Sequence, residues 1–114
     1  MKILIIINDP PYGTERVYNG LRLAHALLKQ EADITVFLMA DAVSAAKTNQ
    51  KTPDGYYNVE RMLKRVVASG KVLLCGTCMD ARGISEAEIV EGASRSTMEV
   101  LANETIAADK VLVF

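Results

Sequence analysis

A chain of 114 residues, half of them apolar, fits one domain with a packed core and excludes disorder. Thirteen basic against fourteen acidic residues give a net charge of −1, which leaves no electrostatic footprint for nucleic acid or an anionic membrane. No apolar run approaches the ~20 residues a membrane span needs, so no membrane partner is expected.

Lys2–Ile7 is a continuous Ile/Leu run, which predicts a central parallel strand covered on both faces. Asn8-Asp9-Pro10-Pro11 ends that run too early for the apolar core of a secretory signal, so a cytoplasmic protein is expected. Asn8–Gly13 holds Pro10, Pro11 and Gly13 and predicts a loop. Thr14 is the expected cap of a first helix, in which Val17, Leu21, Ala24 and Leu28 recur at helical spacing. Leu23 and Leu27 widen the stripe, which predicts burial against more than the sheet.

Asp33–Leu38 reads as the second strand and Asp41–Ala46 as a short helical turn. Lys47–Gly55 is a polar loop, long enough to suggest a functional segment. Val59, Met62, Leu63, Val66 and Val67 give the cleanest amphipathic pattern, with Asn58 as the expected N-cap and Gly70 as the stop. Lys71–Leu74 is the third strand. Ser85-x-x-Glu88 and Ser96-x-x-Glu99 both have capping-box spacing. The second predicts a helix with Met98, Leu101, Ala102 and Ile106 inward, while Ile89-Val90 is the candidate for a very short strand before Gly92. Lys110–Phe114 is the last strand. The alternation predicts an α/β fold, a three-layer α/β/α sandwich with a mostly parallel sheet of about five strands, in one domain over residues 1–114.

Cys75-Gly-Thr-Cys78, followed by Arg82-Gly83, stands at the carboxyl end of the third strand, where open α/β sheets place ligands. These are the only two cysteines, and in a reducing compartment they point to reactive thiols over a disulfide framework. A helical turn beginning near Met79 would aim free N–H groups at them, and Arg82 would add a positive charge; both favour the thiolate. The plainer alternative is that Cys75 is a small buried hydrophobe.

Zinc needs three or four ligands, and only two cysteines and the distant His25 are present, so no metal is expected. A thioredoxin-like site is also discounted, because the motif follows the third strand and every proline precedes it. Asp41 and Asp80 are candidate partners of the thiols, or simply turn and cap residues. The loop Asn8–Gly13 does not match a dinucleotide fingerprint, so no cofactor is expected; Tyr12 and Gly13 either line a pocket or form a rigid turn.

Several segments taken together resemble a known family: Asn8…Pro11-Tyr12-Gly13, Leu21-Arg22-Leu23-Ala24, Phe37-Leu38-Met39-Ala40-Asp41-Ala42-Val43, Gly55-Tyr56-Tyr57-Asn58, Cys75…Cys78…Arg82-Gly83-Ile84 and Ala108-Asp109-Lys110-Val111-Leu112. The chain resembles the bacterial DsrE/DsrF-like sulfur-relay family over essentially its whole length. The resemblance implies an α/β sandwich of flavodoxin-like architecture that assembles with itself as a homotrimer or homohexamer. It also implies that one cysteine ahead of the Arg-Gly pair carries sulfane sulfur as a persulfide. Counting back eight residues from Gly83 places that cysteine at Cys75. Cys78 is a feature of one subgroup; as a second thiol it either resolves a Cys75 persulfide or packs.

On this reading a sulfur-donor or acceptor protein is a further partner. Arg82 and nearby backbone N–H groups stabilise the Cys75 anion, and Tyr12, Asp41 and Gln50 shape the pocket. Two other readings stay open. One is a non-enzymatic homo-oligomeric binding or assembly module with inert cysteines; the other is a redox sensor using a Cys75–Cys78 disulfide.

Overall fold

In the computed structural model, which describes residues Met1–Phe114, five strands form one sheet. They are β1 (Lys2–Ile7), β2 (Asp33–Leu38), β3 (Lys71–Cys75), β4 (Ser94–Ser96) and β5 (Lys110–Val113). The helices are α1 (Arg16–Lys29), α2 (Val59–Ser69), α3 (Gly76–Ala81) and α4 (Met98–Ala107), with 3-10 turns at Ala40–Ala46 and Glu86–Glu88. Every strand pairing is parallel, in the order β4-β3-β2-β1-β5, so the sheet is parallel throughout.

The chain steps outward from β1 to β4, and α4 then carries it back across the sheet to β5. Right-handed crossovers therefore put α1 and α2 on one face and α4 on the other. The register agrees with this. Ile3, Ile5 and Ile7 point toward α1 and α2 and are buried, and a Cβ on Gly20 of α1 would lie 3.1 Å from Ile7 Cδ1. Leu4 and Thr35, paired across β1 and β2, lie against Glu104 and Ala108 at the end of α4.

Helix α2 forms as its pattern predicts. Asn58 Oδ1 accepts the Arg61 N–H at 3.1 Å, satisfying one of the helix's free donors. Gly70 ends the helix in an extended conformation. Glycine is needed there for a close approach, since a Cβ would meet Ile34 O at 2.7 Å. At the start of α1 the N-cap is Glu15 rather than the expected Thr14, whose hydroxyl one residue earlier accepts the Arg16 N–H at 3.3 Å.

Several expectations are corrected. Thr97, not Ser96, caps α4, accepting the Val100 N–H at 3.2 Å. Leu101 is the one buried residue of that helix; Met98 is 63% and Ile106 85% exposed, and Ala102 is exposed as well. A single helix crosses this face of the sheet, so most of its apolar side chains have nothing to pack on. The fourth strand is Ser94–Ser96 rather than Ile89-Val90. Ile89 makes an isolated antiparallel bridge to Lys47, and the chain reaches the sheet edge after Gly92. Ser85 N–H donates to Glu88 Oε1 at 2.9 Å, but this pair opens only the 3-10 turn Glu86–Glu88. No helix is long and apolar enough to cross a membrane.

Candidate functional site at the end of the third strand

Cys75 is the last residue of β3 and the N-cap of α3. Its Sγ accepts the Cys78 N–H at 3.3 Å, as a capping hydroxyl does elsewhere. The Thr77 hydroxyl lies 3.9 Å from the same sulfur. Cys75 is 8% exposed, so its sulfur stands at the surface of the core. Burial pushes the thiol pKa up. Hydrogen bonds from the Cys78 thiol and N–H, and from the Thr77 hydroxyl and N–H, outweigh that and hold it below the ordinary cysteine range.

Cys78, half-buried two residues along α3, is pushed the other way. Burial, its hydrogen bond to Cys75 and the Cys75 charge raise its pKa, against the Ala40 N–H and the Arg82 charge. The Ala40 N–H donates to Cys78 Sγ at 3.2 Å. Both cysteines are free thiols. One of the pair is therefore disposed to ionise and the other to keep its proton.

Arg82 ends α3 beside Cys78. Its Nε donates to Asp41 Oδ1 at 2.8 Å and its Nη1 to Cys78 O at 3.1 Å. The structure thus brings Arg82 and Asp41 together at the second thiol. Gly83 follows with φ of 64°, the left-handed turn that closes the helix.

The cation on the Cys75 side is Arg95 of β4, which pattern reading did not find. It makes two bonds of 2.7 Å to Asp80. The Asp80 carboxylate, and more weakly Glu86 and Cys75, hold its pKa above the ordinary arginine value. Its side chain crosses Gly76, where a Cβ would stand 2.8 Å from Arg95 Nε. A polar three-residue edge strand carries no hydrophobic periodicity, so nothing in the pattern marks it. The glycine after Cys75 is the one available signal.

Tyr12 and Gln50 are placed elsewhere. The Tyr12 hydroxyl bonds to the Gln50 side chain and accepts the Val59 N–H at 3.0 Å. Gln50 Nε2 donates to Ala45 O and Lys47 O, both at 2.8 Å, and Gln50 N–H donates to Glu60 Oε1 at 2.9 Å. These bonds tie the loop after β1 to the start of α2, and none reaches a cysteine. Gly13 lies against Pro10 in that loop, where a Cβ would meet Pro10 Cγ at 3.1 Å. His25 Nε2 bonds to Met62 O at 2.8 Å, linking α1 to α2. No group of three or more His, Cys, Asp or Glu side chains is placed to hold a metal ion.

A family model of DsrE/DsrF-like proteins matches residues 1–114. The chain belongs to the DsrE/DsrF-like family. Among the family's proteins it is similar to Protein YchN of Escherichia coli K12, 47% identical over 116 residues that span 99% of this chain and 98% of that one. The crystal structure of ychN protein from E. coli superposes with a TM-score of 0.95 at 46% identity, covering 100% of this chain and 99% of that chain. Sulfurtransferase TusD of Salmonella typhi is 25% identical over 128 residues, with 100% of each chain covered. Within this family fold the cysteines sit at the carboxyl end of β3. The sheet reverses its order between β1 and β5, so β2 and β1 separate the thiols from the usual ligand crevice.

Proposed function

We propose that this DsrE/DsrF-like protein carries sulfane sulfur on Cys75 and passes it to an acceptor thiol. The observation that carries this reading is the unequal thiol pair: Cys75 capped by the Cys78 N–H with its pKa lowered, and Cys78 beside it with its pKa raised. The kinship with a protein named sulfurtransferase supports it. In the loading step the Cys75 thiolate attacks the outer sulfur of a donor persulfide, R–S–SH. A new S–S bond forms on Cys75, the donor S–S bond breaks, and the R–S⁻ thiolate leaves. In the unloading step an acceptor thiolate attacks that outer sulfur and Cys75 leaves as thiolate. No external oxidant is consumed, and both rates follow thiolate fraction and access. Arg95 on one side and the α3 N–H groups on the other favour the anionic sulfur.

The same reading has the protein assemble with copies of itself, as a homotrimer or homohexamer. Its support is the set of apolar side chains left exposed in the single chain, Met98, Val100 and Ile106 on α4 and Val111 and Val113 on β5. A reversible Cys75–Cys78 disulfide is the competing use of the pair, favoured by their direct contact.

The test is turnover. Protein preloaded with sulfur from glutathione persulfide, then mixed with a small acceptor thiol, is expected to release one sulfur per chain. Cys75→Ser abolishes release on this account, whereas Cys78→Ser retains it. Release that survives in Cys75→Ser would sink the reading.

A further inference from the structure

We propose that the cleft between α1 and α2 binds a small ligand joining a planar ring to phosphate groups, as a nucleoside diphosphate does. The site is separate from the cysteines, and the inference stands whether or not Cys75 carries sulfur.

The first observation is charge. Of six arginines in the chain, Arg16, Arg82 and Arg95 are each paired with an aspartate. The three without a carboxylate partner, Arg22, Arg61 and Arg65, all line this one cleft. Arg61 and Arg65 are four residues apart on α2, where like charges repel, and Arg22 faces them from α1. Such a cluster in a chain of net charge −1 is relieved by an anion. Three planar guanidinium forks suit phosphate oxygens in particular.

The second observation is aromatic. All four tyrosines of the chain gather at this corner. Tyr57 is stacked between Tyr18, at 4.1 Å, and Tyr12, at 5.5 Å between ring centroids. Arg22 lies over the Tyr18 ring at 5.3 Å. Three rings are thus engaged. Tyr56 has no stacking partner, is 72% exposed, and lines the same cleft. It is the ring free to stack on a planar ligand, and such stacking is indifferent to which base is present.

The third observation is shape. The cleft encloses about 340 Å3, within the range of small-ligand sites. Its floor is fixed by the His25 bond to Met62 O. The three free arginines line one cleft, enough for one or two phosphates, which favours a small ligand over an extended nucleic acid.

The test is calorimetric titration of the full chain with ADP, adenosine, pyrophosphate and a single-stranded oligonucleotide. ADP is expected to bind more tightly than either adenosine or pyrophosphate. Arg61→Ala and Arg65→Ala should each weaken ADP by roughly tenfold, the size of a lost charge-assisted bond. Tyr56→Ala should weaken ADP and leave pyrophosphate unchanged. These side chains are exposed, so circular dichroism and melting curves should match the unmodified protein and separate lost binding from lost fold. No ADP binding, or binding unaffected by the arginine variants, overturns the proposal. Pyrophosphate binding as tightly as ADP, or an oligonucleotide binding far more tightly, also overturns it, the latter by assigning the cleft to nucleic acid.

Discussion

The Arg95 side chain crosses Gly76 so closely that any side chain there would collide with it, a Cβ standing 2.8 Å from Arg95 Nε. The glycine that follows Cys75 therefore leaves room for an arginine whose charge interacts with that of Cys75. Gly76→Ala should fold at a cost of about 1 kcal/mol, because the arginine can swing aside. Displacing that charge should slow Cys75 alkylation by roughly two- to fivefold, since less thiolate forms. Arg95→Ala should slow it similarly without the crowding. Iodoacetamide labelling rates read by mass spectrometry check both.

The two thiols should part in pH. A lowered pKa makes thiolate available at lower pH, so Cys75 should reach half its maximal alkylation rate below the ~8.5 of a free cysteine, and Cys78 above it. Cys78→Ala removes the thiol hydrogen bond to Cys75 but keeps the N–H. The Cys75 midpoint should then move up. Site-resolved pH–rate profiles show whether it does.

Tyr12 and Gln50 are predicted to matter for stability rather than for sulfur chemistry. Tyr12→Phe removes the hydroxyl that joins Gln50 to the Val59 N–H. Denaturant melts should show a loss of about 1–2 kcal/mol, the cost of leaving partners unmade. Cys75 labelling should not change, because no bond of this network reaches the thiols.

Glu60 anchors the same network and gives it an acid limit. It is 7% exposed, and burial alone would raise its pKa. The Gln50 N–H, Lys64 and the Asn49 N–H outweigh burial and hold it below the usual carboxylate value. A depressed folded pKa means folding is favoured above the unfolded value of about 4.3, and this contribution is lost as pH falls through the folded pKa. Glu60→Gln should therefore lower stability at neutral pH and flatten its decline in acid. Urea midpoints measured from pH 7 down to pH 3 would reveal a matching decline in both proteins if this assignment is wrong.

The exposed apolar side chains of α4 and β5 should hold copies of the chain together. Ile106 is 85% and Val113 65% exposed in the single chain, so Ile106→Lys with Val113→Asp removes no core packing. Light scattering should show the double variant as a folded monomer and the unmodified protein as a trimer or hexamer. An unchanged mass would move the interface elsewhere.

Most of the layer order was legible because it rests on apolar runs. Ile34–Leu38 is buried throughout and Ile3–Ile7 at every position but the half-buried Ile6, and α2 pairs a clear apolar stripe with an Asn58 cap. Legibility failed where burial and apolarity part company. β4 is Ser-Arg-Ser at a sheet edge, held by backbone pairing to β3, so neither the strand nor the role of Arg95 shows in a hydrophobic pattern. Met98, Ala102 and Ile106 are apolar yet exposed, so helical periodicity assigned them to a core that the single chain does not build there. At the site, the Cys75–Cys78 spacing and the carboxyl end of β3 were readable. The pairing of Arg82 with Asp41, across forty-one residues of sequence, was not.

The central claim is that Cys75 accepts sulfur, and intact-mass spectrometry after incubation with glutathione persulfide tests it most directly. The unmodified chain and Cys78→Ser should each gain the mass of one sulfur atom, reversed by dithiothreitol, while Cys75→Ser gains none. Equal loading of Cys75→Ser, or loss of two hydrogens from the unmodified chain in place of a gain, would contradict the account.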